Sequence, residues 1–301
     1  MKKFILNSIL LLFLFNSYSQ QKNNDGKFWT GNLEYKFVPS IAEQLKDGSF
    51  IPAVKNPEVK EIYDKRLKSN KVILGKGLPN GMDPLVSNNK QTYLTKQTRE
   101  PSLVFETLTD QTNGCPSDPT GAIGVDYYLA AWNPAFRIYD RSGNPVIPAA
   151  SLSNLLGSNL GDPIAFYDAE ADRYVITAMA QGLLQLAISQ TGDPVSDGWH
   201  TFSIQTPGTS GLPDYPKYSI WSDGYYVSVN GNANDFYVLE RDKIINGDQS
   251  ASIQGSTVPG MATGNFASPF FFSVSDDNLP NDGDATMVYF QDDAWAGVSQ
   301  D

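Results

Sequence analysis

Three groups of residues in this chain have side chains suited to binding or reaction. The first is LPDYPKYSIW, residues 212–221, in which Pro213 and Pro216 bracket Asp214 and Tyr215, with Lys217 next and Trp221 at the end. Each proline fixes its own φ and restricts the residue before it, so the segment presents polar groups in set directions. Asp214 and Lys217 read either as an ion pair that orients the turn or, with Tyr215 and Trp221, as contacts for a ligand. The second group is the acidic run Asp276, Asp277, Asn278, Asn281, Asp282, Gly283 and Asp284. Hard oxygen donors around a glycine suit calcium, which makes Asp276, Asp277, Asp282 and Asp284 the metal candidates. The spacing lacks the closing glutamate of an EF-hand, and a solvated acidic loop is the competing reading. The third group is the Asp-Pro pairs Asp118-Pro119, Asp162-Pro163 and Asp193-Pro194. A carboxylate before proline commonly accepts backbone amides and shapes a turn. If these turns are equivalent, the acids could also face a shared channel and hold a cation.

Other chemistries are excluded or unsupported. Cys115 is the only cysteine and His200 the only histidine, so there is no internal disulfide and no histidine-rich zinc site. No G-x-S-x-G elbow, phosphate-cradling G-x-x-x-x-G-K or H-E-x-x-H occurs. Glycoside hydrolysis needs two carboxylates across a sugar; the chain has many acids, none in a diagnostic motif. Trp132, Trp199 and Trp221 are suited either to stacking on sugar rings or to packing between sheets. The formal net charge of -11 repels a phosphate backbone, and no basic cluster offsets it, which argues against nucleic acid as a partner.

The elements that must position these groups fall into three stretches. Residues 1–19 have the plan of a secretory signal: Lys2 and Lys3, the apolar run FILNSILLLFLF at 4–15, then small residues up to Ser19. The run is too short to span a bilayer as an anchor. Residues 20–115 read as an irregular N-terminal arm or linker, with a flexible polar leader at 21–32 and a short helix over 56–71. From residue 116 to 301, short aromatic and β-branched runs alternate with Gly, Pro, Asn and Asp clusters, which is all-β in character. Within it, Asp126, Asp172 and Asp223 each open a tyrosine-centred strand followed by a second strand, at periods of 46 and 51 residues. A weaker copy starts near Ala267, with SPFFFSVSDD and ATMVYFQDD as its strands. A repeat of this length holding about four short strands predicts a β-propeller of four-stranded blades, since each sheet hides its apolar face on its neighbour. A sandwich of unrelated hairpins is the alternative. About four blades fit in this stretch, near the lower limit for closure, so the propeller is expected to be incomplete here.

GDPIAFYDAEADRYVITAMA, LAISQTGDP, LPDYPKYSIWSDGYYVSVN and PSDPTGAIGVDYYLAAWNPAFRIYDRSGNPV, taken together in order, resemble a group of secreted bacterial and fungal β-propeller proteins often found beside adhesion or carbohydrate-binding modules. Tyr128 stands where that group's histidine is expected. The resemblance implies export and a role at or outside the cell surface. The resulting expectation is a non-catalytic binding or adhesion scaffold for an extracellular glycan or protein ligand. The alternatives are a glycan-active hydrolase or lyase on the same fold, and a structural spacer.

Overall fold

A computed structural model describes residues 28–53, 101–107, 117–180, 182–205, 212–230, 235–258, 269–283 and 285–289. The expected signal segment, the helix at 56–71, Cys115 and Asp284 lie outside the described residues. The described chain is an all-β fold of several antiparallel sheets. The first sheet holds β3 (Thr120–Ile123), β4 (Tyr127–Trp132), β5 (Ala135–Asp140) and β6 (Ala150–Ser151), in that order. The middle sheet runs β7 (Gly161–Asp168), β8 (Arg173–Ala180), β9 (Leu183–Ser189) and β10 (Trp199–Gln205), and β2 (Glu34–Val38) adds to its β10 edge. The third repeats the plan with β11 (Asp214–Ile220), β12 (Gly224–Asn230), β13 (Asp235–Glu240) and β14 (Ser252–Thr257), and β1 (Phe28–Asn32) adds to its β14 edge. A short pair, β15 (Phe270–Phe271) with β16 (Met287–Val288), follows where the weaker copy was expected.

The sheets stack in chain order because side chains alternate across a strand. On β8, Tyr174, Ile176 and Ala178 join Leu129, Ala131, Phe136 and Ile138 of the first sheet in one core. Their neighbours Val175 and Met179 turn the other way, into a core shared with Tyr225, Val227, Val229 and Tyr237 of the third sheet. A sheet buried on both faces has apolar residues at nearly every position, which is why RYVITAMA shows no hydrophobic–polar alternation. The third sheet's far face carries Tyr226 and Phe236, whose rings lie 4.8 and 5.5 Å from that of Phe271 at β15. Asp126, Asp172 and Asp223 each directly precede the second strand of a sheet, and Tyr128, Tyr174 and Tyr225 are the second residues of those strands. Each tyrosine reaches toward the layer that precedes it. The Tyr174 hydroxyl donates to the Tyr127 carbonyl at 2.7 Å, the Tyr225 hydroxyl donates to Asp168 Oδ2 at 2.6 Å, and Tyr128 meets Phe105 edge-on at 6.1 Å.

Asp168, at the end of β7, is the centre of a buried clasp between the middle and third sheets. Arg241 opens the short helix α2 (Arg241–Ile245). Its Nε and Nη2 donate to the two Asp168 oxygens at 2.7 and 2.8 Å, and Nη2 also donates to Glu170 at 2.6 Å. Burial pushes the Asp168 carboxyl up, but the Arg241 and Tyr225 hydrogen bonds outweigh it and hold the group below its usual range. Burial drives the Tyr225 phenol well above its usual value, so it remains a donor. Removing one partner from a buried, fully bonded pair leaves an uncompensated charge. Arg241→Met is therefore expected to cost about 3–5 kcal/mol of unfolding free energy in urea titration, and adding Asp168→Leu to recover part of it.

Residues 28–53 form a strap across the outer edges of all three sheets. β1 pairs with β14, β2 pairs with β10, and the Ala53 amide donates to the Ala149 carbonyl at 2.9 Å beside β6. Residues 28–32, expected within a flexible leader, form β1 instead, because pairing on the β14 edge orders them. Helix α1 (Ile41–Asp47) lies between these contacts, capped by Ser40 at its start and by left-handed Gly48 at its end. His200 on β10 sits under the strap, with Nδ1 3.1 Å from the Tyr35 hydroxyl and Nε2 3.4 Å from Gln190 Nε2. Gly247, at φ 63°, packs on the imidazole where a Cβ would collide with it. Burial, then the charge of Arg173, lowers the histidine's affinity for a proton. The unfolded chain thus binds this proton more readily, so stability is full above the ordinary histidine value of 6.5 and falls as pH drops below it. Thermal melts from pH 7.5 to 5 are expected to show this fall, and His200→Gln is expected to flatten it.

Candidate functional site

The first strands of the three sheets begin with an unusual backbone. Asp118, Asp162 and Tyr215 have φ of 40°, 51° and 54°, and each immediately precedes a proline. Left-handed backbone is uncommon for residues with a Cβ, and a following proline disfavours helical geometry further. Such positions cost about 1–3 kcal/mol each and persist only where their surroundings impose them. In β7 the register shifts between Gly161 and Ile164, and in β11 between Asp214 and Lys217. These irregularities turn the pre-proline residue out of the ladder.

Of the three Asp-Pro acids, the fold brings two together. Asn133 Nδ2 donates to Asp118 Oδ2 at 3.0 Å and to Asp162 Oδ1 at 2.7 Å, while its Oδ1 accepts from the Asp162 amide at 2.6 Å. That last bond sets which way the side-chain amide faces, so an N–H donor lies between the carboxyl groups where a cation would need an oxygen. The pair ties the first sheet to the middle one, and its residues do not fit a cation. Burial, then the neighbouring Asp162, raises the Asp118 carboxyl above its usual range. Asp193 stays apart and shapes its own turn, accepting from the Val195 and Ser196 amides at 2.9 Å. Nothing local in the sequence singles out Asn133, whose two partners lie 15 and 29 residues away.

The segment 214–217 gathers three of the four expected ligand residues. Asp214 is buried, whereas Tyr215 is 46% exposed on the left-handed bulge. Lys217 Nζ lies 3.0 Å from the centroid of the Tyr215 ring, a cation–π contact. Burial pulls the Lys217 ammonium down to about 8, with the Asp214 charge opposing. Trp221, at the other end of β11, does not join them. Its Nε1 donates to the Asp282 carbonyl at 2.9 Å, and the Ser222 hydroxyl donates to the same oxygen at 2.7 Å. Trp221 is therefore a brace for the acidic loop. Trp132 and Trp199 are buried in the cores, Trp199 completely, which removes both from sugar stacking.

Asp276, Asp277 and Asp282 are exposed, and Asp276 Oδ1 accepts the Asn278 amide at 3.1 Å. Among the described residues, no group of three or more His, Cys, Asp or Glu side chains converges as a metal site. The described part of this loop does not form a calcium cage. The Asp118 pair supplies a measurable consequence of the geometry above. Because its carboxyl is raised in the fold, the stability it contributes is full below the ordinary aspartate value and is lost as pH rises through the folded value. Asp118→Asn keeps an amide against Asp162 and removes the titration. The variant is expected to melt higher than the wild type at pH 7 and to match it near pH 3.5, as read by scanning calorimetry.

The sequence matches no family model and no curated protein. The solved structure of a DUF4623 family protein from Bacteroides eggerthii DSM 20697 is similar over 57% of this chain and 42% of that one, at 12% identity and a TM-score of 0.37. The chain thus spans less than half the length of that structure.

Proposed function

We propose that this protein is an exported, non-catalytic recognition scaffold of the β-propeller type, which holds an extracellular glycan or protein ligand at one end of its stacked sheets. The observation that carries this reading is the Tyr215–Lys217 pair, an exposed aromatic ring with an ammonium on its face, held out by a strained bulge on a rigid stack. Binding sites commonly place such groups on irregular segments carried by rigid elements. Three meanders stacked in chain order, each with its second-strand tyrosine turned to the preceding layer, support the propeller-type arrangement. Export rests on the basic, apolar and small-residue order of positions 2–19. Among the described residues, no helix is long and apolar enough to cross a membrane.

A hydrolase on the same framework is the second reading, and one observation favours it. The Asp118 carboxyl is raised beside Asp162, as an acid–base pair requires. The Asn133 amide between the two groups weighs against it. Purified protein screened on a glycan and matrix-protein array, with and without chelator, separates these cases. The expected result is retention of at least one ligand without conversion, unchanged by chelator. Tyr215→Ala is expected to weaken it by about tenfold, the scale of losing one aromatic contact. Released product would replace the scaffold with the hydrolase, and full binding by Tyr215→Ala would move the site elsewhere.

A further inference from the structure

We propose that the far face of the first sheet is a docking groove for a peptide segment of a partner protein that carries an aromatic anchor. Phe105 of this chain occupies the groove in cis, as an autoinhibitory contact. This surface belongs to the first sheet and does not involve Tyr215 or Lys217 on the third.

The groove is built to seat one ring. Ala130, Trp132, Ala135, Tyr139 and Ala149 form its buried floor, with Tyr128 packed at the edge. Three of these five are alanines, whose short side chains leave room above the sheet. The cores between the sheets are filled mainly by Leu, Ile, Val and aromatic residues instead. Phe105 takes up that room. Its ring centroid lies 5.3 Å from that of Tyr139, tilted by 49°, and 6.1 Å from that of Tyr128, edge-on at 85°. Both distances fall in the range over which aromatic pairs attract. Gly143 completes the seat. Its φ is 82°, and a Cβ there would come within 2.9 Å of the Phe105 ring.

The present occupant is held by that ring and by little else. Among the described residues, the segment 101–107 makes no backbone hydrogen bond to the sheet, and only Phe105 and Thr107 in it are half-buried. The strap of residues 28–53, by contrast, joins its sheets through ladder pairing. A segment with one anchor and no ladder opens at low free-energy cost. It is also a poor cover. Leu103 and Val104 beside the anchor are 46% and 79% exposed. Ile123, the ladder partner of Tyr128 and so on the same face, is left 60% exposed. A filled aromatic seat with an uncovered apolar rim is the form of a recognition surface. The seated ring identifies the ligand chemistry, an aromatic side chain on a segment without regular structure. The tethered ring competes at an effective concentration of about millimolar order. A ligand that offers only a ring gains nothing over it, whereas one that also covers Ile123 buries more than Phe105 does.

Fluorine NMR on the full chain tests this. The probe is a peptide of residues 101–107, PSLVFET, with 4-fluorophenylalanine in place of its phenylalanine. Phe105→Ala empties the seat, and this variant is expected to shift the probe saturably at about millimolar concentration, the affinity of a single anchored ring. The wild type is expected to need at least about fivefold more peptide for the same shift, because the cis ring competes. An unlabelled peptide with alanine in place of the phenylalanine is expected not to displace the probe. Circular dichroism reports whether Phe105→Ala keeps its fold. A second measurement needs no loss of the ring: 4-fluorophenylalanine is placed at position 105 of the full chain. Its resonance is expected to move toward the free-ring value as unlabelled peptide is added. No saturable binding by folded Phe105→Ala, or a position-105 resonance that the peptide never moves, would make Phe105 a fixed plug and overturn the proposal. A wild-type dimer that Phe105→Ala abolishes would make the occupant a second copy of this chain and overturn the assignment to a separate partner.

Discussion

The middle sheet is apolar on both faces, and the rest of the structure follows from having to cover it. A sheet with one wet face is finished when one layer packs on it. This one buries Tyr174 and Ile176 on one side and Val175 and Met179 on the other, so it needs a layer on each. Those layers have far faces of their own, which pass the requirement outward. On the first sheet the segment carrying Phe105 answers it, against Tyr128 and Tyr139. On the third it is answered at Phe271. Stacking is thus the physical outcome of strands that alternate between two apolar directions instead of between apolar and polar ones.

Apolar packing alone tolerates sliding of one layer over another. Directional contacts oppose that freedom here. The Asp168 carboxylate receives two guanidinium bonds and a phenol from the third sheet, and its burial makes any misaligned register costly. Tyr174 and the Asn133 amide perform the neutral version of the same task between the first and middle sheets. The strap of residues 28–53 then spans the three outer edges. It covers ladder groups that would otherwise be open to pairing with another chain.

That rigidity allows strain to persist where the first strands begin. A left-handed tyrosine before a proline would relax on a mobile loop, and it persists on β11 because pairing on both sides of the bulge holds it. The result is a ring and an amine presented together at the surface.

Much of the architecture was legible in the residues. The recurrence of Asp126, Asp172 and Asp223 before tyrosine-centred strands located the second strand of each sheet, because strand pairing depends on local β-propensity and turn chemistry. The cluster at 214–217 was legible because two prolines three residues apart in sequence, Pro213 and Pro216, mark a stiff segment. The sequence did not reveal β1 and β2, since each is a short strand ordered by the sheet edge it joins. It also could not pair Asp118 with Asp162, separate Trp221 from Tyr215, or set Asp168 against Arg241. Each of those outcomes depends on residues from different sheets meeting in space. The sequence by itself determined the strands, the turns and the apolar character of both faces, all of which are local or periodic. Only the tertiary structure decided which carboxylates meet and which tryptophans are buried, because burial and long-range contact exist only after the layers have closed on one another.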